Sequence, residues 1–187
     1  MKRVRFLPAL LTGLSLLAAC GGDRRGESQP PPAGGSQSPT QAPPVSGNQV
    51  WMDYESGLAR AGAEGKFLLI DFWTSWCHWC KVMDKETYTD PEVRRRLGER
   101  FVTVKVDAES NEAQGKQPGA PTGRALAALY GVNSYPTTWF VDSQGQKIAP
   151  LPGYVEPKQF ARVLEYITSE AYRKQSFQDY MNERQGS

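Results

Sequence analysis

The stretch Lys66-Phe67-Leu68-Leu69-Ile70-Asp71-Phe72-Trp73-Thr74-Ser75-Trp76-Cys77-His78-Trp79-Cys80-Lys81 decides how this chain is read. Phe67 to Trp73 is apolar at successive positions, as a strand covered on both faces is. Asp71 is the one charge inside it. Two cysteines spaced C-x-x-C follow at once, and the segment from Cys77 to Tyr88 reads as a helix. A buried strand running into C-x-x-C at the start of a helix is a specific arrangement.

Upstream, Trp51, Tyr54, Leu58, Ala61 and Ala63 recur at roughly helical spacing, which predicts a helix over 51–64. Downstream, Asp90-Pro91 offers an N-cap and a proline at the first helical position, so a second helix starts there and ends near Gly98. Phe101 to Asp107 alternates and reads as a strand. Residues 109–121 read as a loop, and Thr122 to Tyr130 as a short helix stopped by Gly131. Thr137 to Val141 and Gln146 to Leu151 form a hairpin around Asp142-Ser143-Gln144-Gly145. Pro157 opens a last helix running to about Lys174, followed by a polar tail (175–187) from which Phe177 and Tyr180 are available to pack back. An early β–α–β, then a hairpin and a closing helix, predicts an α/β sandwich with a central mixed sheet flanked by helices, over residues 50–174.

The chain has 187 residues, enough for one domain with appendages. Residues 1–19 carry Lys2, Arg3 and Arg5, then an apolar run from Phe6 to Ala19, short for a span of about 20 residues. They read as a signal peptide. Its end, Leu17-Ala18-Ala19-Cys20, resembles the bacterial lipobox, so Cys20 is the expected lipidation site. The alternative is an ordinary signal cut near Ala19, leaving a free thiol. Residues 20–49 are rich in Gly, Pro, Ser and Gln without apolar periodicity and read as a flexible tether. Of 22 basic and 20 acidic side chains, three basic ones fall in the signal. The near-neutral remainder argues against nucleic-acid binding driven by bulk charge.

Three cysteines are present, and with Cys20 set aside Cys77 and Cys80 remain as a pair. The helix N-terminus offers unpaired N–H groups and the positive end of the helix dipole, both of which stabilise a thiolate. Such sites lower a cysteine pKa from about 8.5 to between roughly 3.5 and 7.5. Cys77 is therefore the expected nucleophile, and Cys80, nearly a turn further in and less exposed, the residue that resolves a mixed disulfide. This chemistry needs no cofactor beyond the pair itself. Cys77, His78 and Cys80 fall short of a structural zinc set, which takes four ligands, so no metal is expected. His78 is expected to tune the adjacent thiolate. Trp76 and Trp79 read as an apolar docking rim, with plain packing the alternative for Trp79. Trp51, Trp73 and Trp139 read as core.

The residues Asp71-Phe72-Trp73, Trp76-Cys77-His78-Trp79-Cys80-Lys81 and Tyr135-Pro136-Thr137 resemble the thioredoxin superfamily over about residues 51–170. With Asp84 and Thr87-Tyr88-Thr89-Asp90-Pro91-Glu92-Val93, they look most like the periplasmic C-terminal domain of the interchange protein DsbD. His78-Trp79 is also similar to a CHWCH-bearing group related to a spermatogenesis-associated family, from which Lys81 departs. The resemblance implies a thioredoxin fold. It implies that Asp71 is a buried acid relaying the Cys80 proton, the alternative being a structural Asp at a strand end. Asp84, four residues after Cys80, takes the place of a carboxylate that tunes the cysteines, and a solvated surface acid is its alternative. Pro136 matches the cis-proline that, with Tyr135, faces the cysteines and pairs with an extended substrate; a trans-proline at a simple strand entry is the alternative.

Three functions follow as expectations. The first is a monomeric, membrane-tethered thiol–disulfide oxidoreductase in the bacterial cell envelope, facing the periplasm or the outer surface. It reduces disulfides of exported proteins and takes electrons from a DsbD-type membrane donor. The second is an oxidase or isomerase using the same residues. The third is a non-catalytic adaptor binding extended peptides, against which both cysteines, Asp71 and Pro136 weigh.

Overall fold

The apolar run that opens the reading is the central strand of the sheet. A computed structural model describes residues 50–185, so the signal, Cys20 and the tether lie outside the described residues. In chain order the elements are β1 (Trp51–Met52), α1 (Tyr54–Glu64), β2 (Phe67–Trp73), α2 (His78–Glu86), α3 (Pro91–Arg100), β3 (Phe101–Asp107), α4 (Gly123–Leu129), β4 (Thr137–Val141), β5 (Lys147–Pro152), α5 (Pro157–Thr168), a 3₁₀ turn (Ala171–Arg173) and α6 (Phe177–Gln185). The sheet order is β1-β3-β2-β4-β5. β3 runs parallel to both β1 and β2, whereas β4 is antiparallel to both β2 and β5. The mixed α/β sandwich with the thioredoxin fold is as expected.

Strand periodicity sorts the core into two layers. Leu68, Ile70 and Phe72 of β2 join Val102, Val104 and Val106 of β3 under Ala61 of α1 and Leu126 of α4. Leu69 and Phe101 point the other way, onto Met83, Val93, Leu97, Phe160 and Leu164 from α2, α3 and α5. Asp71 and Lys105 fall on this second face, as register partners on neighbouring strands. The first layer is close because Gly57 lets α1 settle on β3: a Cβ there would stand 2.1 Å from Val104 Cγ2.

Three element boundaries differ from the sequence reading. Trp51 and Met52 form a short strand, because Asp53 caps α1 by accepting from the Ser56 N–H at 2.9 Å and ends the helical register before them. The last helix stops at Thr168 rather than near Lys174, with Ser169 as C-cap and Glu170 at φ 54° turning the chain. The polar tail contains a helix: in α6, Tyr180 is buried against Tyr166 at 5.3 Å between ring centroids, and Phe177 packs on the same ring at 5.4 Å. The two aromatics are the only apolar anchors in that tail besides Met181, and they suffice to dock it on α5. Near Asp90 the break is as predicted, with the Asp90 carboxylate accepting from the N–H groups of Glu92 and Val93. Trp73 is buried, whereas Trp51 and Trp139 are half-buried and pack against the edges of the two layers.

Candidate active site

Where β2 ends, the chain turns through Thr74, Ser75 and Trp76 and enters α2 with Cys77 as its N-cap. Cys77 and Cys80 are joined as a disulfide, S–S 2.07 Å and Cα–Cα 5.4 Å. The Cys80 N–H donates to Cys77 Sγ at 3.1 Å. That bond puts an otherwise orphan helical donor on the sulfur that would carry negative charge once reduced. The expected difference in exposure between the two is small: Cys77 is 4% and Cys80 3% exposed. The rings of Trp73 and Tyr135 pack against the pair.

The Tyr135–Pro136 peptide is cis. Pro136 is buried and its carbonyl accepts from the Gly153 N–H at 2.8 Å, which ties the loop before β4 to the end of β5. Trp76, 64% exposed, and Trp79, 54% exposed, flank the cysteines. Each packs on a tyrosine ring. Trp76 meets Tyr135 edge-on at 5.9 Å and donates its indole N–H to Glu109 at 3.0 Å. Trp79 stacks on Tyr154 at 5.3 Å, and the Tyr154 hydroxyl donates to Glu86 at 2.7 Å. The Glu86 carboxylate raises the Tyr154 pKa. His78 is exposed, with its ring edge-on to Trp79 at 5.5 Å.

A charged cluster lies on the buried side. Asp71 is 2% and Asp84 8% exposed, so Asp84 is not a solvated surface acid. Lys105 bridges the two, with its ammonium 3.3 Å from Asp71 Oδ2 and in contact with Asp84 Oδ1. The same ammonium lies 5.7 Å from the Trp73 ring centroid, and Trp73 packs on the disulfide. The cluster is thus one side chain removed from the sulfurs. Asp71 Oδ1 is buried without a hydrogen-bond partner. Burial pushes the Asp71 pKa up, against the pull of Lys105, and the Asp84 charge adds to the rise.

The structure therefore brings Asp71, Cys77, Cys80, Asp84, Trp76, Trp79, Tyr135 and Pro136 to one end of the sheet. Two contributors escape the sequence reading. Lys105 has a visible signal, a lone cation inside Phe101-Val102-Thr103-Val104-Lys105-Val106. Tyr154 has none, since only folding carries it across to Trp79.

A sequence profile of the thioredoxin-like domain matches residues 54–168. The thiol:disulfide interchange protein DsbD of Tatumella citrea is 30% identical over 139 residues, which cover 73% of this chain and 22% of that protein. The chain spans about a fifth of the length of that curated relative. The solution structure of a thioredoxin from Thermus thermophilus superposes with a TM-score of 0.53 at 29% identity, covering 63% of this chain and 85% of that one. A thioredoxin-fold protein from Helicobacter pylori gives a TM-score of 0.53 at 25% identity, covering 65% and 80%. A disulfide at the mouth of a helix, beside a cis-proline loop and within such a profile, has one coherent reading: the chain belongs to the thioredoxin-like domain family and is a thiol–disulfide oxidoreductase.

Proposed function

We propose that this protein is a reductase of disulfides in exported proteins, anchored to the cell envelope through a lipid on Cys20. The observation that carries the direction is the buried Asp71–Lys105–Asp84 cluster, two carboxylates against one ammonium, behind the cysteine pair. A net negative charge next to a dithiol disfavours the thiolate. The reduced pair is then less stabilised and gives up its electrons more readily, the opposite of DsbA, which oxidises because its reduced form is stabilised.

In the proposed cycle, the Cys77 thiolate attacks one sulfur of a substrate disulfide. A mixed disulfide forms and the first substrate thiolate leaves. Asp71 takes the Cys80 proton, and the Cys80 thiolate attacks Cys77 Sγ. The Cys77–Cys80 bond forms, the second substrate thiolate leaves, and two electrons have passed to the substrate. A dithiol donor, a DsbD-type membrane protein in this reading, restores the pair by the reverse exchange. The pair is itself the electron carrier, and no bound cofactor enters. Tyr135 and Pro136 align an extended substrate segment, Trp76 and Trp79 cover its apolar flanks, and His78 and Asp84 tune the sulfurs.

The test is the Cys77–Cys80 potential in a glutathione or dithiothreitol titration. It is expected below about −200 mV, on the reducing side of the range from about −270 mV for thioredoxin to about −120 mV for DsbA. A value near that of DsbA would reject the reductase and leave the oxidase. Mass analysis of the mature N-terminus tests the anchor: an unmodified thiol at Cys20 rejects it.

A further inference from the structure

The end of the domain opposite the cysteines carries a cavity of about 450 Å³ between α1, α3 and the starts of β2 and β3. Among the described residues four cations line it, Arg60, Lys66, Arg94 and Arg95, and no carboxylate does. Arg60 and Lys66 share Glu64, and Arg95 is held by Glu92 and Glu99. Arg94 has no ion-pair partner among the described residues. Arg100, exposed on the last turn of α3, adds to the same end. Val50, 63% exposed, also lines the cavity, and it is where the preceding chain joins the domain.

The redox end exposes charges of both signs, with Lys81 and Lys85 on α2 and Arg124 beside Glu109 among the cations. Glu86 and Glu109 hold the two aromatic flanks there, beside Asp107 and Glu156. The cationic cavity thus lies at the first residues of β2 and the disulfide beyond its last. Seven strand residues separate the two ends by roughly 20 Å.

We propose that this cationic end docks on the anionic headgroups of a membrane and turns the cysteine pair toward the aqueous side. The occupant follows from charge and from chain path. A surface of phospholipid phosphates attracts the end with four lining cations. The segment that the Cys20 reading ties to the bilayer enters the domain at the cationic end, so anchor and headgroups pull on one face. Exposed apolar side chains of Val50 and Pro91 beside the cations suit the boundary between headgroup and acyl chain. The orientation rests on the proposed anchor; the headgroup contact does not.

The full chain on vesicles tests this, with amide hydrogen exchange read by peptide. One set of vesicles is phosphatidylcholine alone, the other an equal mixture with phosphatidylglycerol. Amides over Arg94–Thr103 are expected to exchange at least severalfold more slowly on the anionic vesicles, while those over Trp76–Lys85 do not change. Arg60→Gln combined with Arg94→Gln should weaken the docked state about 25-fold, since each basic residue near such a surface contributes roughly fivefold. Unchanged exchange of β2 verifies that this variant is folded. Equal exchange on the two lipids overturns the proposal, as does protection at the cysteine end. Protection reproduced by inorganic phosphate without vesicles would show a small-anion site instead. Protection already present in solution would show that the chain before Val50 covers the cavity. Loss of binding to phosphatidylcholine counts against the anchor alone, because the headgroup contact is judged by the difference between lipids.

Discussion

Lys105 stands directly across from Asp71 in the parallel register of β2 and β3, and its ammonium reaches past that carboxylate to Asp84 on the helix of the cysteine pair. Two strands and one helix therefore meet in a charged contact inside the α2–α3–α5 layer. Burying three charged groups carries a desolvation cost that their mutual attraction only partly offsets. Such a contact points to a role in tuning rather than in holding the fold.

Asp71→Asn is expected to make the protein more stable at neutral pH and slower in turnover. Burial raises the folded-state pKa of Asp71 above the unfolded value of about 3.9. The native state then holds the proton more tightly than the unfolded chain does. Stability drawn from Asp71 is accordingly greatest in acid and falls as pH rises from the unfolded value toward the raised folded one. Asparagine carries no such loss, so the gain appears at pH 7 and vanishes below about pH 4. Urea unfolding at both pH values measures it, and an equal gain at both would assign the effect to packing. Without a base for Cys80, insulin reduction should fall on the order of 10²-fold.

Lys105→Met is expected to act in the opposite sense on stability. It removes the one cation from two carboxylates that are almost wholly buried. Breaking a buried pair from one side costs about 3 to 5 kcal/mol. Adding Asp71→Asn should recover a large part of that loss, because the two residues belong to one cluster and their effects are not additive. Strict additivity in a double-mutant cycle would show that Lys105 and Asp71 are not coupled.

The fold and the cysteine pair were legible because their signals are local. Phe67–Trp73, Asp90-Pro91 and Tyr135-Pro136 each state their structure within a few residues. Trp51-Met52 was not legible as a strand, because its pairing partner Thr103-Val104 lies some fifty residues away and two residues hold no period. The alternation in β3 resembles a strand with one wet face, yet helices cover both faces and Lys105 is buried. Asp84 could be placed beside Cys80 by helical spacing, but only the register of β2 with β3 brings a cation between it and Asp71. Phe177 and Tyr180 marked where the tail could dock, whereas Ser169 and Glu170, which break the helix first, carry no strong stop signal.

Cys80→Ala is expected to leave substrates linked to Cys77. Attack by Cys77 still forms a mixed disulfide, and nothing remains at the helix to displace it. Cys77→Ala removes the sulfur that receives the Cys80 N–H at the start of α2 and should trap nothing. Non-reducing gels of envelope extracts display the adducts. If both single variants kept insulin-reducing activity, exchange through this pair would be refuted.

Tyr154→Ala is expected to weaken protein substrates while leaving small disulfides unaffected. Tyr154 follows Gly153, whose N–H is bonded to the Pro136 carbonyl, so its ring is presented onto Trp79 from the end of β5, which is tied to the cis-proline loop. Its hydroxyl is in turn held by Glu86 near the end of α2. The ring therefore fixes an indole that is otherwise half in water. An aromatic pair of this kind is worth about 0.5 to 1.5 kcal/mol. A freed Trp79 must be ordered again by each substrate, so KM for a protein disulfide should rise about threefold to tenfold with kcat little changed. Reaction with dithiothreitol, too small to span the rim, should keep its rate. Tyr154→Phe retains the stack and loses only the bond to Glu86, and should lie near the parent. An equal loss for insulin and dithiothreitol would place Tyr154 in the chemistry of the sulfurs instead of in substrate selection.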